Sequence, residues 1–278
     1  MPKPQLTNPE WLPRPKKPEF SGFAEPQSNT TYIPNQFFDV CLPYSSRGVV
    51  RLTAYMLRKT LGWSDAEGNP LKEQHEISYQ ELIEHAGISR GALREAIDEA
   101  MKSNFIRCPE KGRASRAGTK ALSNTFELKW HEGEYTKDPK QFKGFYAGEG
   151  NRTYIPNQFF DVVIPNEPLT VIKVVGSIIR FSIGFQTKHG FRRQQIALSY
   201  RDIERYSKIG SPIDTRKAIK TALESNYIER VEEGYFDPNA GRESKAATYC
   251  LRWAKVSQES ISYEETGSKN IAGAVQKT

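Results

Sequence analysis

The chain contains few of the residues from which disulfide frameworks and metal sites are built. It has three cysteines, Cys41, Cys108 and Cys250, and four isolated histidines. The cysteines are too few and too scattered for a disulfide framework, and neither residue type has the spacing of zinc ligands. We therefore expect a reducing, cytoplasmic location (bacterial cytosol or nucleoid), and we expect neither a metal nor another cofactor.

Long apolar runs and catalytic motifs are also missing. No apolar run reaches the roughly 18 residues of a membrane span, and the proline-rich first residues do not resemble a signal peptide. The chain lacks the G-x-x-x-x-G-K-[ST] loop of nucleotide triphosphatases, the H-x-H cluster of rolling-circle nucleases and a prominent carboxylate pair. The sequence thus predicts a soluble protein that is not an enzyme and has no membrane partner.

Basic charge and an internal repeat are what the chain does contain. Lys and Arg total 40 against 33 Asp and Glu, a net charge of +7, which favours a polyanionic partner if the charge lies on one face. The ten residues Thr31–Val40, TYIPNQFFDV, recur unchanged at Thr153–Val162, 122 residues later. A repeat of this kind predicts two copies of one domain.

Weaker matches extend the repeat through both halves of the chain. RKTLGW matches RFSIGF, ISYQEL matches LSYRDI, AIDEAMKSNFI matches AIKTALESNYI, and TFELKW matches TYCLRW. We predict a first domain (17–131, here copy 1) and a second domain (153–256, here copy 2). A linker (132–152) joins them, and a disordered Pro- and Lys-bearing arm (1–16) and a disordered polar tail (257–278) flank them.

Each copy shows the pattern of a helix-turn-helix. In copy 1, apolar spacing predicts a first helix within VVRLTAYMLRKTLGW, and Ser78 with Glu81 forms a capping box that starts a second helix. Gly87 ends it, and Ser89 starts a third helix with one apolar stripe. In copy 2, Ser211 caps the corresponding third helix. Two strand-like runs around a polar, glycine-bearing loop follow and predict a hairpin wing. The expected fold class is α+β: two tandem winged helix-turn-helix domains, each with three helices and a β-hairpin wing.

Copy 1 also resembles a known family. IPNQFFD, RLTAYMLRKTLGW, ISYQELIEHAGISRGALREAI and SNFI are similar to the N-terminal winged helix of lambda O-type phage replication proteins and of related phage and plasmid replisome organisers. Ala86 stands where that pattern has threonine, and no separate helicase-loading region follows. Two winged helices in one chain are also similar in plan to plasmid initiators. The resemblance implies binding of origin or operator DNA.

The helix-turn-helix pattern predicts which side chains contact DNA. The N-terminal part of the second helix of the motif enters the major groove, and Arg pairs well with guanine edges. The outward positions of recognition helix 1 are Ser89, Arg90, Gly91, Arg94 and Glu95. Those of recognition helix 2 are Ser211, Asp214, Arg216, Lys217 and Lys220. Because the two sets differ, we expect two different half-sites. The alternative is an ordinary solvated helix face.

Basic loops are predicted to contact phosphates or a narrow minor groove. In copy 1 the wing carries Lys111, Arg113, Arg116 and Lys120. In copy 2 the cations are Lys188, Arg192 and Arg193 before the second helix, and Arg242 and Lys245 in the wing. The affinity of such contacts falls steeply with salt.

For the repeated segment TYIPNQFFDV two interpretations stay open. It is a short strand and turn, with Pro34 fixing the entry and Asn35 capping, packed against the helices of each domain. Alternatively, its exposed Asn and Gln contact the DNA backbone or a partner.

The function predicted from these features is sequence-specific binding of double-stranded DNA at origin or operator repeats, by a replication initiator of a plasmid, phage or mobile element. The partners would include host replication proteins, and the protein would act as a monomer or as a multimer assembled on DNA. The first alternative is a transcriptional regulator or partition (centromere-binding) protein that uses the same two modules. The second is an adaptor that binds protein.

Overall fold

The structure, a computed structural model, describes residues 19–25, 29–65, 69–113, 122–188, 190–235 and 245–254. The predicted arm 1–16 and tail 257–278 lie outside these residues, and the predicted domain boundaries stay predictions. The predicted α+β class is confirmed, because helices alternate with several small sheets. Within the described residues, no helix combines the length and the apolar character that crossing a membrane requires.

Copy 1 begins with a strand and a helical turn. Its elements are β1 (Thr30–Pro34), a π-helical turn (Phe37–Cys41), α1 (Leu42–Tyr44), α2 (Arg47–Leu61), β2 (Gln74–Ile77), α3 (Tyr79–Glu84), a 3₁₀ turn (Arg90–Ala92), α4 (Leu93–Lys102), β3 (Ile106–Glu110), β4 (Asn124–Leu128) and β5 (Trp130–His131).

After β6 (Phe145–Tyr146), which lies in the predicted linker, copy 2 repeats the order of β1 to β4 without the 3₁₀ turn. Its elements are β7 (Arg152–Pro156), a π-helical turn (Phe159–Val163), α5 (Ile164–Asn166), α6 (Leu169–Phe181), β8 (Gln195–Ala197), α7 (Tyr200–Ser207), α8 (Pro212–Glu224), β9 (Ile228–Glu232) and β10 (Thr248–Leu251).

The helix starts follow the capping residues that the sequence provides. Ser78 accepts a hydrogen bond from the backbone N–H of Glu81, and Ser211 accepts one from that of Asp214, so both caps are confirmed. The predicted capping box at Ser78 is incomplete, because the Glu81 side chain bonds Tyr55 and Lys59 instead. The predicted start at Ser89 needs correction. Its side chain makes no capping bond, and a 3₁₀ turn precedes α4. Gly91, a poor helix former, lies within that turn.

Each copy contains a three-stranded antiparallel sheet, where the sequence predicted a two-stranded hairpin. The strand orders are β2-β4-β3 and β8-β10-β9, so the last strand lies in the middle. The predicted hairpin strands do pair with each other. The strand missed in copy 1, β2, has only four residues, of which His75 and Ile77 are buried and Gln74 and Glu76 are exposed. The sheet and helices α2, α3 and α4 enclose one core.

The repeated segment forms the contact between the two copies. β1 pairs antiparallel with β7, with Tyr32 opposite Tyr154 and their rings stacked at 4.3 Å. Because Tyr154 is the repeat equivalent of Tyr32, the pairing is symmetric, and an internal two-fold axis passes between these two residues. The expected short strand is present in each copy, and β1 contacts α2 of its own copy. The pairing of the two strands with each other was not expected.

Side chains of the repeated segments make reciprocal bonds across this axis. Thr31 Oγ1 donates to Asn157 Oδ1 at 2.7 Å, and Thr153 Oγ1 donates to Asn35 Oδ1 at 2.6 Å. Asn35 and Gln36 are buried, so the alternative in which the Asn and Gln of each copy are exposed to DNA or a partner fails in copy 1, whereas Asn157 and Gln158 are half-buried. The side chains of Asn35 and Asn157 hold the copies together.

Two short segments are exchanged between the copies. We call residues 20–24 lead-in 1 and the repeat-equivalent residues 142–146 lead-in 2. Lead-in 2 lies against copy 1, where β6 pairs in parallel with β5 and Phe145 is fully buried. Lead-in 1 lies against copy 2, where Phe23 forms a parallel bridge with Trp253 and is also fully buried. The exchange thus obeys the internal two-fold.

Candidate nucleic-acid interface

Recognition helix 1 comprises the 3₁₀ turn and α4, held on α2 by a buried apolar stripe. Leu93, Ala96, Ile97 and Ala100 are buried, which leaves the opposite face to solvent. All five predicted residues lie on that open face: Ser89, Arg90, Gly91, Arg94 and Glu95. The side chain of Arg94 is 91% exposed, and its Nε lies 3.9 Å from Asp98 Oδ2. At this exposure the ion pair is weak, so the Arg94 guanidinium is available to a ligand.

Recognition helix 2, α8, presents the more basic surface. Thr215, Ala218, Ile219 and Ala222 are buried. Asp214, Arg216, Lys217 and Lys220 are exposed, while Ser211 is half-buried because it caps the helix. Lys220 Nζ lies 3.7 Å from Glu224 Oε1, again an exposed pair. The structure therefore places the predicted residues of both recognition helices on solvent-exposed faces, in equivalent positions of the two copies.

The predicted wing cations are only partly described. Lys111 and Arg113 follow β3 and are exposed, and Arg113 forms an antiparallel bridge with Leu122. Arg116 and Lys120 in copy 1, and Arg242 in copy 2, lie outside the described residues. Lys245 is described, and its Nζ contacts Glu232 Oε2 at 2.9 Å, which lowers the pKa of that carboxyl group. The copy 2 wing is thus partly neutralised.

The loop between α6 and β8 carries the other predicted cations. Lys188 is exposed, but Arg192 and Arg193 are half-buried. The Arg193 guanidinium stacks over the Phe185 ring at 4.3 Å from its centroid, so part of its surface is occupied. Beside it, Phe191 is 75% exposed, an aromatic side chain that sequence reasoning missed because it considered only the charges of this loop.

Arg201 is a second residue that sequence reasoning missed. It is exposed in the first turn of α7, the first helix of the motif in copy 2. The first helix of a helix-turn-helix crosses the DNA backbone. The sequence could have indicated Arg201, because it is the second residue after the helix cap Ser199.

No family model, curated protein or solved structure matched the chain.

In the described part of the chain, no group of three or more His, Cys, Asp or Glu side chains is arranged to hold a metal ion. The candidate site therefore consists of two equivalent exposed helix faces that carry both basic and acidic side chains, and α8 has the larger share of cations.

Proposed function

We propose that the chain is a sequence-specific double-stranded DNA-binding protein, built from two tandem winged helix-turn-helix domains. The observation that carries this proposal is the order helix, strand, helix, helix, strand, strand in both copies, with the last strand in the middle of the sheet. A winged helix has its helices and strands in this order, so the order supports the proposal. This arrangement leaves the second helix of each motif free on one face, as insertion into a major groove requires.

The two recognition helices differ in net charge, which supports different roles for the two copies in DNA binding. In recognition helix 1, Arg90, Arg94 and Lys102 are balanced by Glu95, Asp98 and Glu99. In recognition helix 2, three cations face two acids: Arg216, Lys217 and Lys220 against Asp214 and Glu224. Copy 2 would therefore supply more of the attraction to phosphates, while Arg90 and Arg94 of copy 1 would contribute mainly through guanine edges.

The internal two-fold supports a bipartite DNA site. A two-fold operation that relates α4 to α8 also reverses the direction in which each meets a duplex, so the half-sites would lie in opposite orientations. Because the exposed residues of the helices differ, the half-sites would differ in sequence. The result would be an imperfect inverted repeat recognised by one chain.

For the biological role, we propose a replication initiator or origin-binding protein of a plasmid, phage or mobile element, on the strength of the resemblance in copy 1. A transcriptional regulator or partition protein would use the same helices on DNA. A plasmid that carries the selected DNA site separates these roles: an initiator supports its replication in a host without other initiators. Intact binding without replication would favour regulation or partition.

The experiment that tests DNA binding is selection from random duplex DNA with the purified chain at two salt concentrations. We expect an enriched bipartite motif and an affinity that falls steeply between the two salts. Absence of enrichment, with binding lost at moderate salt, would indicate nonspecific coating. Absence of any salt-sensitive binding would favour an adaptor that binds protein.

A further inference from the structure

A cavity of about 310 Å³ lies at the junction between the two copies. The end of α1 in copy 1 forms one wall, and α6 and the end of α7 in copy 2 form the others. We call it the junction pocket. Its charged lining residues are one acid, Asp39, and five cations: Lys137, Lys173, Arg180, Arg205 and Lys208.

Lys173 is the buried cation of this pocket. It is 7% exposed, and its Nζ donates one hydrogen bond, of 2.9 Å, to the backbone carbonyl of Pro43. In the described part of the chain no carboxylate forms an ion pair with it. Because an ammonium group has three donors, one bond to a neutral carbonyl leaves both donor capacity and positive charge uncompensated. Burial accordingly lowers the pKa of Lys173.

The repeat provides an internal comparison for this residue. Its equivalent in copy 1, Arg51, donates to the carbonyl oxygens of Ile164, Glu167 and Gly87. The guanidinium is thus held by three protein contacts. At Lys173 the shorter side chain reaches only one carbonyl. Lys173 lines the junction pocket, whereas Arg51 does not line the cavity of about 380 Å³ at the equivalent place in copy 1, which Arg58, Phe160 and Asp161 border.

The remaining charges around the pocket leave it positive. Asp39 is engaged by Arg180, whose Nε and Nη2 donate to its two carboxylate oxygens at 2.8 and 3.0 Å. Arg205 contacts Asp202 at 3.0 Å, but its side chain is 62% exposed, so this pair compensates little. Lys208 lies over the ring of Tyr44, 5.9 Å from its centroid. Lys173 and Lys208 therefore face the pocket without a carboxylate partner among the described residues.

We propose that the junction pocket binds the phosphate group of a small phosphorylated molecule. Lys173 would contact a phosphate oxygen at the base, and Lys208 and Arg205 would contact the others at the mouth. A phosphate supplies several strong acceptors in a small volume and forms short, charge-assisted bonds with such cations. The occupant would touch both copies, since Tyr44 belongs to one and Lys208 to the other. The site is distinct from the predicted DNA contacts, because no predicted recognition-helix or wing residue lines it.

The test is isothermal titration of the full chain with inorganic phosphate and with pyrophosphate, at constant ionic strength. We expect saturable binding of one anion per chain. Lys208→Ala should weaken it about tenfold, equivalent to about 1.4 kcal/mol, because one charge-assisted hydrogen bond is lost. Lys102→Ala, which removes an exposed lysine from α4, is the matched control and should leave the affinity unchanged.

Two further measurements keep the proposal testable if one variant fails to fold. Lys173→Met should abolish phosphate binding. If Lys173→Met does not fold, weaker phosphate binding by Lys208→Ala and by Arg205→Ala remains the expected result. Amide chemical shifts on titration should change around Tyr44, Ser177 and Lys208. The proposal is overturned if no saturable binding occurs, if Lys102→Ala weakens binding as much as Lys208→Ala, or if the shifts cluster on α4 or α8.

Discussion

The two copies of the repeated segment contain the same aspartate in different surroundings, which allows a matched stability experiment. Asp39 is 11% exposed and accepts hydrogen bonds from Arg180 and from the hydroxyl of Tyr135 at 3.0 Å. Its equivalent, Asp161, is 51% exposed and pairs with Arg58 at 3.2 Å. Both ion pairs join one copy to the other.

Replacing Asp39 and replacing Asp161 should have different effects on stability, because the Asp39–Arg180 pair is far less exposed than the Asp161–Arg58 pair. Asp39→Ala leaves the side chain of Arg180, itself 12% exposed, without its counter-charge. Breaking a buried pair from one side costs about 3–5 kcal/mol of unfolding free energy. Burial by itself lowers the pKa of Arg180, but its bonds to Asp39 outweigh that effect and raise it. Asp161→Ala should cost about 0–1 kcal/mol, because an exposed pair contributes little.

Urea unfolding followed by circular dichroism measures both variants. Asp39→Ala should have the clearly lower midpoint with an unchanged slope. Adding Arg180→Leu to Asp39→Ala should recover part of the loss, because the unpaired buried cation is then gone. Equal losses in the two alanine variants, or a loss below 1 kcal/mol for Asp39→Ala, would refute the claim that this pair stabilises the junction.

The remaining predictions concern DNA binding and pH. Arg94→Ala should relax base preference in one half-site and Arg216→Ala in the other, by about 1–3 kcal/mol each in binding selections; unchanged preference in both would remove the assignment of the recognition helices. Lys111→Ala with Arg113→Ala should weaken binding to all duplexes alike and reduce the salt slope by about 2, whereas a loss confined to one half-site would contradict phosphate contact. Burial lowers the pKa of His75, so the unfolded chain binds its proton more tightly. Stability should therefore fall as pH drops below the ordinary histidine value of about 6.5, and His75→Gln should flatten that part of the urea midpoint profile; an unchanged slope would rule out His75 as its source.

Local features of the fold could be predicted from the sequence, and contacts between distant segments could not. The caps at Ser78 and Ser211 and the apolar stripe of α4 act within a few residues of chain, so the spacing of side chains predicts them. Strand β2 was not predicted, because four residues are too few to show a clear alternation of apolar and polar side chains. The repeat predicted that Tyr32 and Tyr154 have the same local structure, but equal conformation does not imply that they touch.

In the candidate site, too, the sequence predicted local features but not contacts between distant segments. Helical periodicity predicted the exposed faces of α4 and α8, because exposure follows from which residues are apolar. The partial burial of Arg193 over Phe185 depends on how one loop folds back, which no spacing in the sequence indicates. Lys173 falls on the apolar helix α6 and gave no signal as a ligand; only the approach of Pro43 from the other copy creates its environment.

The exchanged lead-ins make the order of the two copies in the chain interchangeable. The backbone N–H of Ala254, after copy 2, donates to the carbonyl of Phe23 at 2.8 Å, so the start of one copy lies beside the end of the other. A circular permutant that joins residue 254 to residue 20 by a short linker and opens at the exposed Gly133 would keep every described contact across the axis. The same geometry would describe a homodimer of two such copies whose subunits exchange their lead-ins.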